Sequence, residues 1–261
     1  EMAFVTEPPK MAVQEISMLF GGVSAITDLS FELQEGEIFA LIGPNGAGKS
    51  TVFNCINGIY KPTRGNIFFE GGEITNLRPH RIARKGIART FQNIALFRNM
   101  TVLDNLLLGR NLYLNAGVIR GGLFLGKALR EELTNREVVE KIIDFLEIEN
   151  VRRKLVGSLP FGIQRRVELG RALAMDPKLL LLDEPVSGMN VEETEDMARF
   201  ILDINEEFGM TILLVEHDMG VVMDISDRIL VINFGEKITE GKPEVVAKNP
   251  LVIKAYLGEG E

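Results

Sequence analysis

The sequence contains little cysteine, no long uncharged apolar run and fewer basic than acidic residues. Its single cysteine, Cys55, excludes an intrachain disulfide and is typical of a reducing compartment. The most apolar stretch, residues 106–129, is interrupted by Arg110, Arg120 and Lys127, whereas a transmembrane helix needs about 20 largely uncharged residues. The N-terminus lacks the basic and then apolar pattern of a signal peptide. We expect a cytoplasmic protein without a span of its own, which could still sit on a membrane partner.

The charge is acidic overall and unevenly placed. The 29 Lys and Arg against 37 Asp and Glu give a net charge of −8 over 261 residues, which argues against nonspecific nucleic-acid binding. Residues 74–103 hold six cations and no acid, whereas residues 183–207 hold nine acids and one cation. We expect most of these charges to lie on solvated helix faces.

Strand and helix patterns alternate along most of the chain. Apolar runs predict buried strands at residues 38–42, 179–182, 211–215 and 228–233. An amphipathic helix is predicted over residues 191–208, ended by Gly209. The alternation predicts a mostly parallel sheet covered on both faces. A mainly helical stretch at 100–155 interrupts it as an inserted subdomain, with one apolar face made by Val138, Ile142, Phe145 and Leu146.

A phosphate-binding motif follows the first buried run. Residues 43–50 fit G-x-x-x-x-G-K-[ST] at every defined position, between a predicted strand and a predicted helix. The glycines let backbone N–H groups turn inward as an anion nest, to which the helix adds its positive N-terminal end. Lys49 is expected to reach the β- and γ-phosphates of ATP, and the Ser50 hydroxyl to bind Mg²⁺. The candidate ligands are Asn45, Gly46, Ala47, Gly48, Lys49, Ser50 and Thr51.

Two carboxylates end another buried run. Four leucines precede Asp183 and Glu184, as in a central strand rather than a surface loop. Asp183 at the strand tip is suited to hold Mg²⁺ through its water shell. Glu184 points elsewhere and is suited to orient or deprotonate an attacking water. Paired acids at a strand end are often only a solvated turn, but the phosphate loop upstream favours the catalytic interpretation.

Three further segments make the pattern specific. They are Thr90-Phe91-Gln92, the stretch from Ser158 to Arg166, and the run from Thr211 to Asp218, which carries His217. In this order the chain resembles the nucleotide-binding domain of ABC transporters from residue 11 to 257. The resemblance implies an α/β P-loop NTPase with a RecA-like core sheet, an N-terminal antiparallel β-subdomain and an inserted helical subdomain. It implies one domain over 1–261, in which 11–92 and 161–261 form the ATP-binding core with the β-subdomain and 93–160 the helical signature subdomain.

The resemblance also implies roles for single residues. Phe20 matches the aromatic that stacks on adenine, and His217 the histidine that contacts the γ-phosphate. Gln92 matches the glutamine that touches the metal site, with Ser50 and Asp183, and reports to the transmembrane partner. The signature, which closes over ATP on the opposite subunit, matches Leu159, Pro160, Phe161 and Gly162, and residues 187–190 match the loop that crosses the dimer interface. The plainer alternatives are a core aromatic for Phe20 and a surface amide for Gln92.

The signature departs from the usual family pattern. Pro160 stands where a serine is usual, and it has neither a hydroxyl nor an N–H to offer the partner's γ-phosphate. Ile163 replaces a usual polar residue, and Asn190 a frequent aspartate. Gly162 and the helix N-terminus remain, so backbone N–H groups could still meet an anion. We expect ATPase activity, and the sequence leaves open how strongly this signature activates the partner site.

Several stretches resemble one branch, the larger ATP-binding subunit of branched-chain amino acid importers. They are residues 79–83, 89–94, 216–219 and 252–258. This branch implies ATP and Mg²⁺ as cofactors and uptake of branched-chain amino acids, with urea or amide importers as the alternative. The implied partners are a second ATP-binding subunit in a head-to-tail dimer, two transmembrane permease subunits at the inner face of the membrane and, indirectly, a substrate-binding protein.

Three rival functions belong to the same superfamily. A nucleic-acid or ribosome ATPase would need long heptad coiled coils or a second cassette, and neither is found in the sequence. An exporter cassette fits residues 79–97 and the C-terminal stretch less well. A regulator that only binds ATP would lack the catalytic base, but Glu184 is present.

Overall fold

Two β-sheets form the framework of the computed structural model, which describes residues 8–92, 94–110 and 125–257. The smaller sheet is antiparallel with strand order β2-β1-β4-β5. Its strands are β1 (Met11–Phe20), β2 (Val23–Leu33), β4 (Arg64–Phe69) and β5 (Gly72–Glu73). This sheet confirms the N-terminal antiparallel β-subdomain that the resemblance implies.

The larger sheet has strand order β10-β9-β3-β8-β7-β6 and is parallel except where β10 pairs antiparallel with β9. Its strands are β3 (Ile38–Ile42), β6 (Ile87–Arg89), β7 (Leu179–Asp183), β8 (Thr211–Val215), β9 (Arg228–Asn233) and β10 (Glu236–Gly241). Every residue of β3, β7 and β8 is buried, as their continuous apolar runs predict.

The helices cover both faces of this sheet. They are α1 (Lys49–Ile56), α2 (Pro79–Arg84), α3 (Val102–Gly109), α4 (Leu125–Phe145), α5 (Phe161–Leu173), α6 (Val191–Phe208), α7 (Met219–Ile225), α8 (Pro243–Val246) and α9 (Pro250–Leu257). Within the described ranges no helix is both long enough and apolar enough to cross a bilayer. Residues 111–124 of the predicted helical stretch lie outside the described residues. So do Asn93 and Gly258, which belong to the stretches 89–94 and 252–258 of the sequence analysis.

Helix α6 shows how local sequence sets a boundary. The Asn190 side chain accepts from the Glu193 N–H, and the Glu193 carboxylate accepts from the Asn190 N–H, so the two residues form a capping box. At the other end Gly209 takes a left-handed conformation with φ 61°. The predicted bounds of this helix are confirmed.

Alternate residues of β7 enter two separate cores. Leu180 and Leu182 pack in the cluster formed with α3 to α6, whereas Leu179 and Leu181 pack in the cluster formed with α1 and the antiparallel sheet. On α4 the buried apolar face is made by Val139 and Ile143, and Leu146, directly after the helix, is buried with them. Of the predicted apolar face, Leu146 is buried, and Ile142 and Phe145 are half-buried against the same core. Val138 is also only half-buried. The tight packing of β7 fixes the strand end that carries the acids.

The only cysteine lies within the second core. Cys55, on α1, is 2% exposed, and burial raises the pKa of its thiol to about 12. The residue therefore behaves as a small apolar side chain.

Candidate functional site

A cleft of about 280 Å³ opens at the carboxyl ends of the parallel strands. The loop from β3 to α1 forms one wall, and Gln92, Glu184 and His217 form the other. The cleft is lined by Asn45, Gly46, Ala47, Gly48, Lys49, Ser50 and Thr51, with Ala25 from β2 beside them. Parallel strands end at one edge of a sheet, which is why residues far apart in sequence meet here.

The loop conformation requires glycine at two positions. A Cβ at Gly43 would lie 2.2 Å from the Ile232 carbonyl oxygen, and one at Gly48 would lie 2.6 Å from the Ala25 carbonyl oxygen. Gly48 also has φ 105° and leads into α1, whose first residues line the cleft. This loop is a ready anion site.

Lys49 is buried beneath the loop. Its Nζ donates to the Gly43 carbonyl at 2.6 Å and to the Pro44 carbonyl at 3.0 Å. Burial lowers the pKa of the Lys49 ammonium below its usual value, and the nearby Glu184 and Asp183 carboxylates oppose that shift. The lysine is thus held at the loop by carbonyl groups that a phosphate oxygen can replace.

Glu184 is the centre of a hydrogen-bond chain. Its Oε2 accepts from Gln92 Nε2 at 2.9 Å, and its Oε1 lies 2.6 Å from His217 Nε2. Glu184 has φ 51°, a left-handed conformation uncommon for a residue with a side chain, and its N–H donates to the Val215 carbonyl at 2.8 Å. This backbone turn directs Glu184 into the cleft immediately after the buried strand.

Asp183 is paired with a basic residue that the sequence interpretation leaves without a role. Its Oδ2 accepts from Arg89 Nη2 at 2.7 Å, with side chains 4% and 9% exposed respectively. The Asp183 N–H donates to Thr90 Oγ1 at 3.3 Å. Arg89 belongs to the basic stretch expected to be mostly solvated, and it is an exception to that expectation.

The donors near the phosphate loop fit ATP and Mg²⁺. Ser50 and Gln92 supply a hydroxyl and an amide beside the cleft, and Asp183 is a carboxylate at the adjoining strand end. Oxygen ligands of this kind, completed by phosphates and water, are those that Mg²⁺ prefers. Within the described ranges no group of three or more His, Cys, Asp and Glu side chains is placed to hold a metal ion.

Glu216 ties two functional loops together, although the sequence gives it no role. This carboxylate is 2% exposed. Its Oε1 accepts from the Val186 N–H at 3.0 Å, and its Oε2 accepts from the His217 N–H at 2.7 Å and the Asp218 N–H at 3.2 Å. A charged residue next to a candidate histidine at the end of an apolar strand was the available signal.

The signature residues lie apart from the phosphate-loop cleft. Leu159 and Gly162 are buried, whereas Pro160 and Phe161 are exposed at the start of α5. Phe161 lines a second cleft of about 510 Å³ together with Gln92, Ser187 and Gly188. None of the four signature residues lines the phosphate-loop cleft.

Phe20 does not line the phosphate-loop cleft. Its ring is 42% exposed and meets Tyr60 edge-on, with centroids 5.2 Å apart. Tyr60, which the sequence interpretation omitted, thus supplies a second ring at the outer end of β1.

Helix α5 holds the segment that carries Gln92. The Arg165 guanidinium donates to the Phe91 carbonyl at 3.0 Å and to the Gln92 carbonyl at 2.7 Å. Glu168 pairs with Arg165 at 3.2 Å and accepts from the N–H groups of Phe91 and Ala95, each at 3.3 Å. The glutamine segment is therefore joined to the signature helix by backbone hydrogen bonds to a buried ion pair that lies within α5.

A groove of about 310 Å³ lies on the far side of the glutamine segment, between α2 and α5. Its walls include Ile59, His80, Ala83, Arg89, Phe91 and Ala172. Phe91 is 40% exposed there, and the surrounding basic residues of α2 are exposed to solvent.

Comparison of the sequence with protein families gives two matches. Residues 26–187 match the ABC transporter family, and residues 236–261 match the branched-chain amino acid ATP-binding cassette transporter family. The chain is 44% identical over 254 residues to the Pseudomonas aeruginosa protein BraF, a high-affinity branched-chain amino acid transport ATP-binding protein, covering 96% of this chain and 98% of BraF. It is 42% identical over 255 residues to Escherichia coli LivG, which carries the same description, with the same coverage.

Solved structures agree with the sequence matches. A nucleotide-free ATP-binding cassette from an ABC transporter superposes with a TM-score of 0.84 at 32% identity. The match covers 97% of this chain and 100% of that one. A cassette in its ADP conformation gives a TM-score of 0.84 at 33% identity with the same coverage. A dimeric cassette bound to ADP and phosphate gives 0.74 at 26% identity, covering 89% of this chain and 98% of that one.

Proposed function

This chain belongs to the ABC transporter family of ATP-binding cassettes, and from that membership we propose that it binds and hydrolyses ATP to power uptake of branched-chain amino acids. The choice of substrate class is supported by 42–44% identity to importer subunits from two bacteria. The C-terminal match over residues 236–261 supports the same branch.

The observation that carries the ATPase assignment is the chain of hydrogen bonds from Gln92 through Glu184 to His217 at the phosphate-loop cleft. Glu184 orients the attacking water and accepts its proton. His217, held against Glu184 Oε1, donates to the γ-phosphate as negative charge develops there. Gln92 keeps the second carboxylate oxygen oriented.

The nucleotide is held by the opposite wall. Lys49 and the backbone amides of residues 46–51 bind the phosphates, and Phe20 with Tyr60 offers the base an aromatic surface. Ser50, Gln92 and Asp183 would hold Mg²⁺, which neutralises phosphate charge when bound.

A second cassette completes each site. In this proposal two cassettes face head to tail, and Leu159, Pro160, Phe161 and Gly162 of one close over ATP bound by the other. The separation of the signature from the phosphate-loop cleft supports this arrangement, as does the likeness to a dimeric cassette. Residues 93–160 act as the signature subdomain, and 11–92 with 161–261 as the ATP-binding core.

Two permease subunits hold the cassettes at the inner face of the membrane. The groove beside Phe91 receives a short cytoplasmic segment of a permease, since its apolar walls lie among exposed cations of α2. A substrate-binding protein acts only through the permeases. Gln92, which donates to Glu184, directly follows Phe91 in the chain. A permease segment bound in the groove therefore contacts the residue next to the hydrolytic site.

The test of the ATPase assignment compares Glu184→Gln with Glu206→Gln, the same change on the exposed face of α6. Glu184→Gln is expected to bind ATP normally and to hydrolyse it about 100-fold more slowly or worse. Glu206→Gln is expected to behave as wild type. Wild-type turnover by Glu184→Gln would overturn the role of the base.

The transport assignment is tested on the purified complex together with its binding protein. ATPase stimulation is measured with leucine and with urea. Stimulation by urea and not by leucine would refute the assignment.

A further inference from the structure

The Arg89 side chain joins the metal-binding strand to the phosphate-loop helix. Its Nη2 donates to Asp183 Oδ2, and its Nη1 donates to Asn54 Oδ1 on α1, each at 2.7 Å. One rigid guanidinium thus fixes the end of β7 to α1, the helix that follows the phosphate loop. Asp183 and Arg89 are both about nine-tenths buried or more, with side chains 4% and 9% exposed.

Two aromatic rings enclose the same guanidinium. Its carbon lies 5.4 Å from the Phe53 ring centroid and 5.3 Å from the Phe91 centroid, within the range of cation–π contact. Arg89 and Phe91 also line the groove between α2 and α5. The position of the guanidinium is therefore set by the carboxylate on one side and by the groove wall on the other.

The hydrogen bonding of Arg89 is incomplete. Among the residues that the structure describes, its buried Nε has no hydrogen-bond partner. A buried donor without a partner is unfavourable for stability. The guanidinium is therefore held by its two Nη groups, which face Asp183 and Asn54.

We propose that Arg89 is a positioning residue for Mg²⁺ binding, because it holds the Asp183 carboxylate in the orientation in which the metal shell meets it. The inference rests on the proposed ATP-binding function. It adds a residue that acts through Asp183 and touches neither nucleotide nor metal.

The experiment measures binding of a slowly hydrolysed ATP analogue to the full chain, first in EDTA and then along a Mg²⁺ titration. Arg89→Lys keeps the charge but cannot reach Asp183 and Asn54 together. It is expected to raise the half-saturating Mg²⁺ concentration about ten-fold or more, as loss of an outer-shell partner does at other metal sites. The dissociation constant in EDTA is expected to stay close to that of wild type.

Two further variants complete the comparison. Asn54→Ala leaves the ion pair intact and is expected to shift the Mg²⁺ requirement in the same direction by less, which keeps the proposal testable if Arg89 variants fold poorly. Arg153→Met removes a cation from an exposed position and is the control. Wild-type Mg²⁺ dependence in folded Arg89→Lys and Asn54→Ala, or an equal shift in Arg153→Met, would overturn the proposal. Absence of ATP binding by the wild-type chain would instead refute the proposed function.

Discussion

The imidazole of His217 and the carboxylate of Glu184 are 2.6 Å apart, although they follow two different strands, β8 and β7. We expect His217→Ala to lower the ATP turnover number about 100-fold, because a positioned donor is lost where charge develops. ATP affinity should change little, since the phosphate loop remains. Steady-state kinetics with separate binding measurements test this, and a loss confined to affinity would contradict the assigned role.

Pro160 is expected to limit the activity of the site that its signature completes. Pro160→Ser supplies a hydroxyl and an N–H at the N-cap of α5, and one added hydrogen bond of about 1 kcal/mol corresponds to roughly five-fold in rate. The measurement is the ATPase rate of the assembled complex with and without the substitution. An unchanged rate would show that backbone amides at the start of α5 already suffice.

Glu216→Ala is expected to lower the free energy of unfolding by about 2 kcal/mol or more. The substitution leaves the N–H groups of Val186, His217 and Asp218 without their acceptor. Glu216→Gln keeps one acceptor oxygen and should lose less. Urea unfolding of both variants tests this order, and equal stability of Glu216→Ala and wild type would contradict it.

Glu168 should make stability depend on pH. Burial raises the pKa of Glu168 above its ordinary value of 4.5, against the opposing hydrogen bonds from Ala95 and Phe91 and the charge of Arg165. As the pH rises, the unfolded chain therefore releases this proton at a lower pH than the folded chain does. The contribution of Glu168 to the free energy of unfolding is fully present below pH 4.5 and is lost as the pH rises through the folded-state pKa.

The corresponding measurement is the pH dependence of unfolding for wild type and Glu168→Gln. The stability of wild type relative to Glu168→Gln should decline as the pH rises from 4.5 towards neutrality. A constant difference across that range would contradict the raised pKa.

The parts of the site that could be predicted are those fixed by backbone geometry. A glycine loop between a strand and a helix, and polar residues at the ends of adjacent parallel strands, bring Lys49, Glu184 and His217 to one edge. The loop glycines are needed because a Cβ at Gly43 or Gly48 would overlap a carbonyl oxygen. Such constraints are local and therefore visible in the sequence.

The side chains that hold this edge in place could not be predicted in the same way. Arg89 and Arg165 look like their solvated neighbours in sequence, and only the packing of α5 and β7 shows that they are buried. The sequence identifies Asp183 and Glu168 as acids, but it does not indicate which arginine each of them pairs with. Charge patterns indicate exposure only on average.

The buried thiol of Cys55 makes the wild-type chain a ready background for site-directed labelling. It is the single cysteine of the sequence, and with 2% exposure and a pKa of about 12 it offers almost no thiolate to a maleimide at neutral pH. A cysteine introduced at exposed Glu192, in the first turn of α6, would carry the only reactive thiol. One spectroscopic probe on each subunit could then follow the approach and separation of two cassettes during turnover, without replacement of the native cysteine.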